Sequence, residues 1–276
     1  MNYYYLIASL SDLSLDSEQQ TIDFKEIVET IQRNLEPTDE TRFKYVLYQN
    51  DNRNLLKTLF ERNNKLPSKM HTAYHVPAVF SEQEIKDYKK NAGRFPDYMG
   101  EFLRHYADQF ETMSIAEMED RLLQLFYEET VQVDPFLAGY YEFETSLKKL
   151  FFAYNYSLFD FLKTSAAKDS PAFEQVHQDQ SVTNEILRAH PAAEAIGEAI
   201  ALKKPETIEK LMDSIMWDYL EDVSGFFGIE QLLVYVIRLL MIQRWESLAP
   251  EISLKRFNAL QESIKNKVHS LQTSLT

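Results

Sequence analysis

The most apolar stretch of the chain covers residues 226–248. Between Leu232 and Ile242 every residue is apolar or aromatic except Arg238. A helix that is apolar on nearly all sides has no face for water, so it should lie among other helices. Its length would also suit a membrane span, but a charge at the centre of a bilayer is costly. The pattern therefore predicts a buried helix of a soluble protein, ending before Pro250.

A second long helix is predicted after Asp134-Pro135. Aspartate is a good N-cap, and proline has the φ angle that the first helical position needs. The apolar residues that follow are spaced alternately by four and by three, which is typical of a helix-bundle seam. They are Phe136, Tyr140, Phe143, Leu147, Leu150, Tyr154, Leu158 and Phe161. We expect this helix to pack along the 226–248 helix.

Most of the remaining chain also shows helical spacing of its apolar residues. This spacing occurs over residues 24–35, 43–60, 206–223 and 254–271. Ser81–Glu84 and Ser114–Glu117 have the sequence of a capping box at a helix start. Asn50-Asp51-Asn52 interrupts the 43–60 segment, which allows either two helices or one helix with a polar patch. The opening segment 3–10 is compatible with a strand or with a buried helical turn.

These patterns predict an all-α protein, an elongated multi-helix bundle without a series of strands and hairpins. We expect a single all-helical domain over residues 1–276, or two lobes that divide into residues 1–133 and 134–276. Residues 163–205 are rich in Ser, Ala, Gln, Asp and Lys and contain three prolines. We interpret this stretch as a peripheral crossover with short helices.

Composition and charge narrow the range of partners. The chain has 276 residues, no cysteine and a net charge of −14. So acidic a protein repels nucleic acid and anionic lipid, and it would attract a basic protein surface. The missing cysteines fit a reducing compartment. The N-terminal segment lacks the basic region of a signal peptide, so a cytoplasmic location is expected.

The search for catalytic motifs gives mostly negative results. The sequence has no GxxxxGK[ST] phosphate loop and no HExxH pair. His71 and His75 are four residues apart but lie in an irregular segment, and we interpret them as surface-loop histidines. We give His177 and Asp179 a structural interpretation too, and we expect the acidic face 213–222 to be solvated. No catalytic residue, metal ligand or cofactor is therefore predicted.

Three charged residues interrupt otherwise apolar surfaces and are candidate buried polar residues. Glu144 lies beside Phe143 on the long helix, Arg238 lies midway along the 226–248 helix, and Arg244 lies near that helix's end. Burying an unpaired charge is expensive, so each should have a partner. We predict that Arg238 is buried against a carboxylate, with Glu144 as the first choice. An enzyme with a buried acidic site around Glu144 is an alternative.

Four groups of residues carry a resemblance to a known family: Tyr3–Leu6 with Ala8 and Leu10, Asn52–Leu56, Tyr141–Glu144 with Leu147, and Val234-Tyr235 with Leu239 and Arg244-Trp245. They resemble a family of uncharacterised bacterial proteins encoded among vacuolar-type (V/A-type) ATPase subunits in Bacteroides- and Chlamydia-like bacteria. The resemblance covers nearly the whole chain, although its motifs carry no catalytic signature. Ser11 stands where the family pattern leads us to expect proline.

The resemblance implies a replacement for the C (d) subunit of the ATPase, an all-helical funnel of repeated bundles. Such a subunit links the central stalk to the membrane ring. It implies a non-catalytic cytoplasmic protein at the inner membrane, with stalk and ring subunits as partners. It implies no nucleic acid, no membrane span of its own, no cofactor and no small-molecule substrate. An adaptor unrelated to the ATPase is a further alternative.

Overall fold

The computed structural model describes residues 3–15, 23–63, 65, 73–158, 192–201 and 205–248. Within these residues the chain is all-helical and contains no strand, as predicted. The helices are α1 (Tyr4–Ser9), α2 (Phe24–Arg33), α3 (Glu40–Arg62), α4 (Glu82–Lys86), α5 (Tyr88–Asn91), α6 (Asp97–Tyr106), α7 (Ile115–Val133), α8 (Pro135–Leu158), α9 (Ala193–Ala201), α10 (Pro205–Val223) and α11 (Ile229–Leu248). A short 3₁₀ turn, Ala92–Arg94, joins α5 to α6.

Several helix starts follow the local sequence chemistry. Ser81 accepts a hydrogen bond from the Glu84 backbone N–H, and the Glu84 carboxylate accepts one from the Ser81 N–H at 2.9 Å. At α7 the structure gives one half of the predicted box: Ser114 Oγ accepts a hydrogen bond from the Glu117 N–H at 3.1 Å. Asp134 Oδ1 accepts from the Leu137 N–H at 2.9 Å, and α8 begins at Pro135. These capped starts confirm the predicted boundaries, because capping depends only on neighbouring residues.

Of the apolar stretch 226–248, residues 229–248 form α11, whose inner residues are buried as expected. Phe226 and Phe227 precede the helix and are exposed, so the predicted helix starts too early. Its main packing neighbours are α2, α3 and α10, whereas α8 packs mainly on α7, α9 and α10. The expected direct packing of α8 along α11 is therefore wrong. The two helices instead both line one cavity, to which α3, α9 and α10 also contribute.

The 43–60 segment is part of one continuous helix, α3, so the Asn50–Asn52 run is a polar patch and not a break. This patch is buried, and its Asn50 and Asp51 side chains bind the irregular backbone of residues 73–80. Asp51 accepts from the N–H groups of Val79 and Phe80 at 2.9 and 3.0 Å. Asn54 both donates to the His75 carbonyl and accepts from the His75 N–H, at 2.9 and 2.8 Å. The side chains of α3 thus satisfy a segment that has no helix or sheet of its own.

Arg42 joins the N-terminal ends of three helices. Its Nε lies 2.6 Å from Asp134 Oδ2 at the start of α8, and its Nη2 lies 2.7 Å from Glu230 Oε1 in the first turn of α11. Its Nη1 lies 3.6 Å from Asp39 Oδ1, just before α3. The Tyr3 hydroxyl also donates to Asp39, at 2.6 Å. This Arg42 cluster fixes α3, α8 and α11 relative to one another.

The core is rich in aromatic side chains. Phe126 of α7 lies among the rings of Tyr45, Tyr98, Tyr127 and Tyr141, with centroid separations from 4.9 to 6.2 Å. Aromatic pairs at such distances add to the stability that burial provides. The α3, α6, α7 and α8 helices therefore share one packed interior.

The remaining expectations have mixed outcomes. The opening segment is the short helix α1, whose Tyr4 and Tyr5 are exposed and not buried. Helix α9 lies within the predicted peripheral crossover, yet its Ile196 and Ile200 are buried in the core. Among the described helices, none is both long and apolar enough to cross a membrane. His71, His177, Asp179 and the predicted helix over 254–271 lie outside the described residues.

Candidate functional site: a cavity and an aromatic patch

A cavity of about 680 Å³ lies between α3, α8, α9, α10 and α11. Most of its lining is apolar: Tyr140, Leu147, Phe151, Ile200, Ile208, Met212, Met216, Ile237, Leu240 and Met241. The polar lining residues are Gln49, Arg53, Glu144, Lys148, Glu209, Asp213 and Arg244. Two of the three residues predicted from the sequence, Glu144 and Arg244, thus meet at this cavity. Its volume is in the range of small-molecule sites.

Glu144 of α8 has two partners in the cavity wall. Its Oε1 lies 3.1 Å from Lys148 Nζ, one helical turn further on. Its Oε2 accepts a hydrogen bond from the Tyr127 hydroxyl at 3.1 Å. Burial, together with the charge of Glu144, raises the pKa of Tyr127 well above its ordinary value, so this hydroxyl remains a donor. The Glu144 carboxylate is therefore held in place and neutralised by Lys148.

Arg244 binds Asp213 and ties α11 to α10. The Arg244 guanidinium pairs with Asp213 Oδ2, and Trp245 Nε1 donates to the same oxygen at 2.6 Å. Asp213 is buried, and charge-assisted hydrogen bonds of this kind are strong. The expectation that the acidic face 213–222 is solvated is thus wrong for Asp213.

Arg238 also binds a carboxylate, but it does so outside the cavity. Its Nη2 lies 2.6 Å from Glu221 Oε2 and donates to the Trp217 carbonyl at 2.8 Å, while its guanidinium lies 4.5 Å from the centre of the Trp217 ring. The Arg238 side chain is 15% exposed and that of Glu221 is 71% exposed. The predicted pairing with Glu144 is wrong because Arg238 faces the antiparallel neighbour α10 and Glu144 lies on α8.

Arg53 of α3 is a cavity residue that the sequence analysis missed. It is exposed, although its neighbours from Asn50 to Leu56 are all buried. Its one described hydrogen bond joins Nη1 to Asn50 Oδ1 at 3.4 Å, and among the described residues no carboxylate lies within 4.0 Å of it. Although part of the side chain reaches solvent, the surrounding cavity wall removes water from the guanidinium, and this desolvation and the repulsion of Arg244 lower the pKa of Arg53; the attraction of Glu144 offsets this in part. The sequence feature that could have identified Arg53 is its position as a single cation within a helical run that is otherwise buried.

A second feature is an aromatic patch at the surface, formed by Tyr4, Tyr5, Phe226 and Phe227. These side chains are 50%, 88%, 93% and 37% exposed. The Tyr4 ring lies 5.0 Å from that of Phe227, and the Tyr3 N–H donates to the Phe227 carbonyl at 2.8 Å. Phe227 has φ of 58°, a left-handed conformation that is rare for an aromatic residue. Strain of this kind persists where the surroundings hold it, often at binding surfaces.

The cavity and the patch are suited to binding. In the described part of the chain, no group of three or more His, Asp or Glu side chains is arranged to hold a metal ion. Glu144 and Asp213 already have cationic partners. What the cavity offers a ligand is an apolar wall and the guanidinium of Arg53.

Fold and site together define an all-α protein with a ligand-sized cavity and an exposed aromatic patch. The chain belongs to the protein family DUF2764, described as a protein of unknown function, which it matches over residues 1–268. No curated protein matches the chain.

Proposed function

We propose that this protein is a non-catalytic subunit of a V/A-type rotary ATPase, similar to the C (d) subunit, that links the central stalk to the membrane ring. The sequence resemblance supports this proposal, and it spans nearly the same residues as the family match, 1–268. The all-helical architecture is the one that the resemblance implies. In this role the protein would lie on the cytoplasmic side of the inner membrane.

The observation that carries the proposal is the aromatic patch. Monomeric proteins rarely expose several large aromatic side chains together unless they bind a partner. Aromatic residues are also the ones that most often dominate the energy of protein interfaces. Here Phe226 and Tyr5 are almost fully exposed, and the Tyr3–Phe227 backbone hydrogen bond and the Tyr4–Phe227 ring contact join the two segments that carry them. The patch therefore suits a protein partner.

Charge and rigidity support the same role. The net charge of −14 would steer a basic partner surface toward the protein, and this attraction should weaken with salt. A linking subunit must also transmit force, and close-packed interiors transmit strain. The Arg42 cluster joins α3, α8 and α11 at their starts and so couples these helices to one another.

The test is to express the ATPase subunits of the source organism with and without this chain and to weigh the assembled complexes. We expect the head, stalk and ring to couple hydrolysis to ion transport only when the chain is present. The double variant Tyr5→Ala with Phe226→Ala should weaken binding by roughly 30-fold, as expected for a loss of about 2 kcal/mol. Val131→Ala is the matched control, since Val131 is also exposed but lies on α7.

Two outcomes would contradict the proposal. If the complexes assemble and couple hydrolysis to ion transport equally well without the chain, the chain is not an ATPase subunit, and an unrelated adaptor is favoured. Equal loss of binding in the Val131→Ala control would remove the patch from the interface.

The cavity favours a second candidate, an all-α enzyme with an acidic site around Glu144. Glu144 lines the cavity, but its carboxylate is engaged by Lys148 and Tyr127. If this candidate is correct, Glu144→Gln would abolish turnover by the isolated protein and leave the assembly of the ATPase unchanged.

A further inference from the structure

The cavity has the size and lining of a site for a largely apolar small molecule. Its volume is about 680 Å³, and ten of its lining residues are apolar or aromatic. Three of them are methionines, Met212, Met216 and Met241, whose flexible side chains adapt to the shape of a ligand. Lys148 and Arg244 are each more than a third exposed, so solvent reaches the polar part of the lining.

The charged residues that line the cavity differ in whether a residue of opposite charge lies within pairing distance. Lys148 is paired with Glu144, and Arg244 is paired with Asp213. Arg53 has no carboxylate within 4.0 Å among the described residues, and the attraction of Glu144 offsets the repulsion of Arg244 only in part. Glu209 is the remaining acidic residue, and it occupies an exposed position on α10. The cavity therefore presents one cation that an anion could neutralise.

We propose that the cavity binds a long-chain carboxylate, with its headgroup on Arg53 and its apolar chain against the methionine-rich wall. A carboxylate suits the planar guanidinium, which can donate two parallel hydrogen bonds to it. A neutral apolar molecule would cover Arg53 and leave its charge without a partner, which is unfavourable. A dianion such as a phosphate monoester would face repulsion from Glu144 and Asp213 in the same wall.

This inference does not depend on the proposed ATPase role. It also goes beyond the sequence-based expectation of no small-molecule substrate, because it assigns a bound ligand. The ligand would be a bound molecule and not a substrate, since the cavity's carboxylates at Glu144 and Asp213 are already paired. A ligand that fills the space between α8 and α11 would join two helices that pack mainly on other neighbours.

The test is calorimetric titration of the full chain with oleate below its micelle concentration, and with oleyl alcohol as the uncharged match. We expect oleate to bind at one site per chain and oleyl alcohol to bind at least about tenfold more weakly, because it lacks the charge. Arg53→Gln should weaken oleate binding by about tenfold or more and leave oleyl alcohol unchanged. Arg104→Gln, which alters an exposed arginine on α6, should bind oleate like the wild type.

A second variant tests the location independently of charge. Met241→Trp should block the cavity and abolish the binding of both molecules, and circular dichroism should confirm that the variant is folded. The proposal is overturned if oleate does not bind, if oleate and oleyl alcohol bind equally, or if Arg53→Gln and Arg104→Gln behave alike. Full binding by folded Met241→Trp would place the site elsewhere and also overturn it. None of these outcomes bears on assembly of the ATPase.

Discussion

Replacing Arg42 by methionine should destabilise the protein more than any other single loss of charge described above. Methionine keeps the apolar part of the side chain but leaves Asp134, Glu230 and Asp39 without their shared cation. The Asp134 side chain is 4% exposed, so its charge cannot turn to water. Removing one partner of a buried pair costs about 3–5 kcal/mol. Because Arg42 itself is 21% exposed, we expect the lower end, about 3 kcal/mol.

Urea unfolding followed by circular dichroism measures this change. A loss of about 3 kcal/mol corresponds to a fall in Tm of roughly 6–12 °C for a chain of this size. Arg33→Met is the control, since Arg33 pairs with Glu29 on the surface, and such pairs contribute about 0.5 kcal/mol or less. Arg42→Lys should lose less stability than Arg42→Met, because it keeps the positive charge. Its recovery should be incomplete, because an ammonium group cannot bind all three carboxylates as the forked guanidinium does.

The Arg42 cluster also predicts a dependence on pH. Burial alone would raise the pKa of Glu230, but the hydrogen bond and charge of Arg42 outweigh it and lower this pKa. A carboxyl whose pKa is lower in the folded state stabilises the fold above its unfolded pKa of about 4.3. That contribution is lost as the pH falls through the folded value, and Arg42→Met should lack it. If Arg42→Met unfolds at the wild-type midpoint, the helix N-termini alone hold these carboxylates and the reasoning is refuted.

Two further predictions concern single residues. Arg238→Ala should lower the free energy of unfolding by only about 1–2 kcal/mol, because Glu221 is exposed and the contact with Trp217 is modest; a loss above that of Arg42→Met would contradict this ranking. Burial raises the pKa of Asp51 to about 7. Between about pH 3.9, the ordinary pKa of aspartate, and that value, the folded state holds a proton that the unfolded state has released. The free energy of unfolding should therefore fall as the pH rises through this range. Asp51→Asn should remove this pH dependence of the free energy of unfolding, measured by urea titration at several pH values. If the variant and the wild type show the same dependence on pH, the prediction for Asp51 is wrong.

The features that could be predicted from the sequence are those that depend on neighbouring residues. Asp134-Pro135 and Ser81–Glu84 mark helix starts because the capping side chain and the N–H group it binds lie within one turn. The burial of α11 follows from its composition alone. The all-helical class follows from the same periodicity.

Interactions between distant helices could not be read in this way. Arg42 binds carboxylates that lie far along the chain, and nothing local identifies them. The Asn50–Asn52 run resembles a helix break, because its binding to residues 73–80 appears only in the folded chain. The partners of Arg238 and Arg244 both lie on α10, and their order indicates one antiparallel register between α10 and α11. The acidic face of α10 was visible in the sequence, but the sequence did not show that α11 would pack against it.

The binding of residues 73–80 by α3 affects how the protein exchanges hydrogen with solvent. The N–H groups of His75, Val79 and Phe80 lie outside any helix or sheet, yet each donates to a buried side chain of α3, Asn54 or Asp51. Amides of irregular segments usually exchange quickly, whereas those bound to the core exchange only when the core opens. These three amides should therefore exchange as slowly as those of α3 itself. The 73–80 segment should thus open together with α3 as one cooperative unit, although it contains no secondary structure.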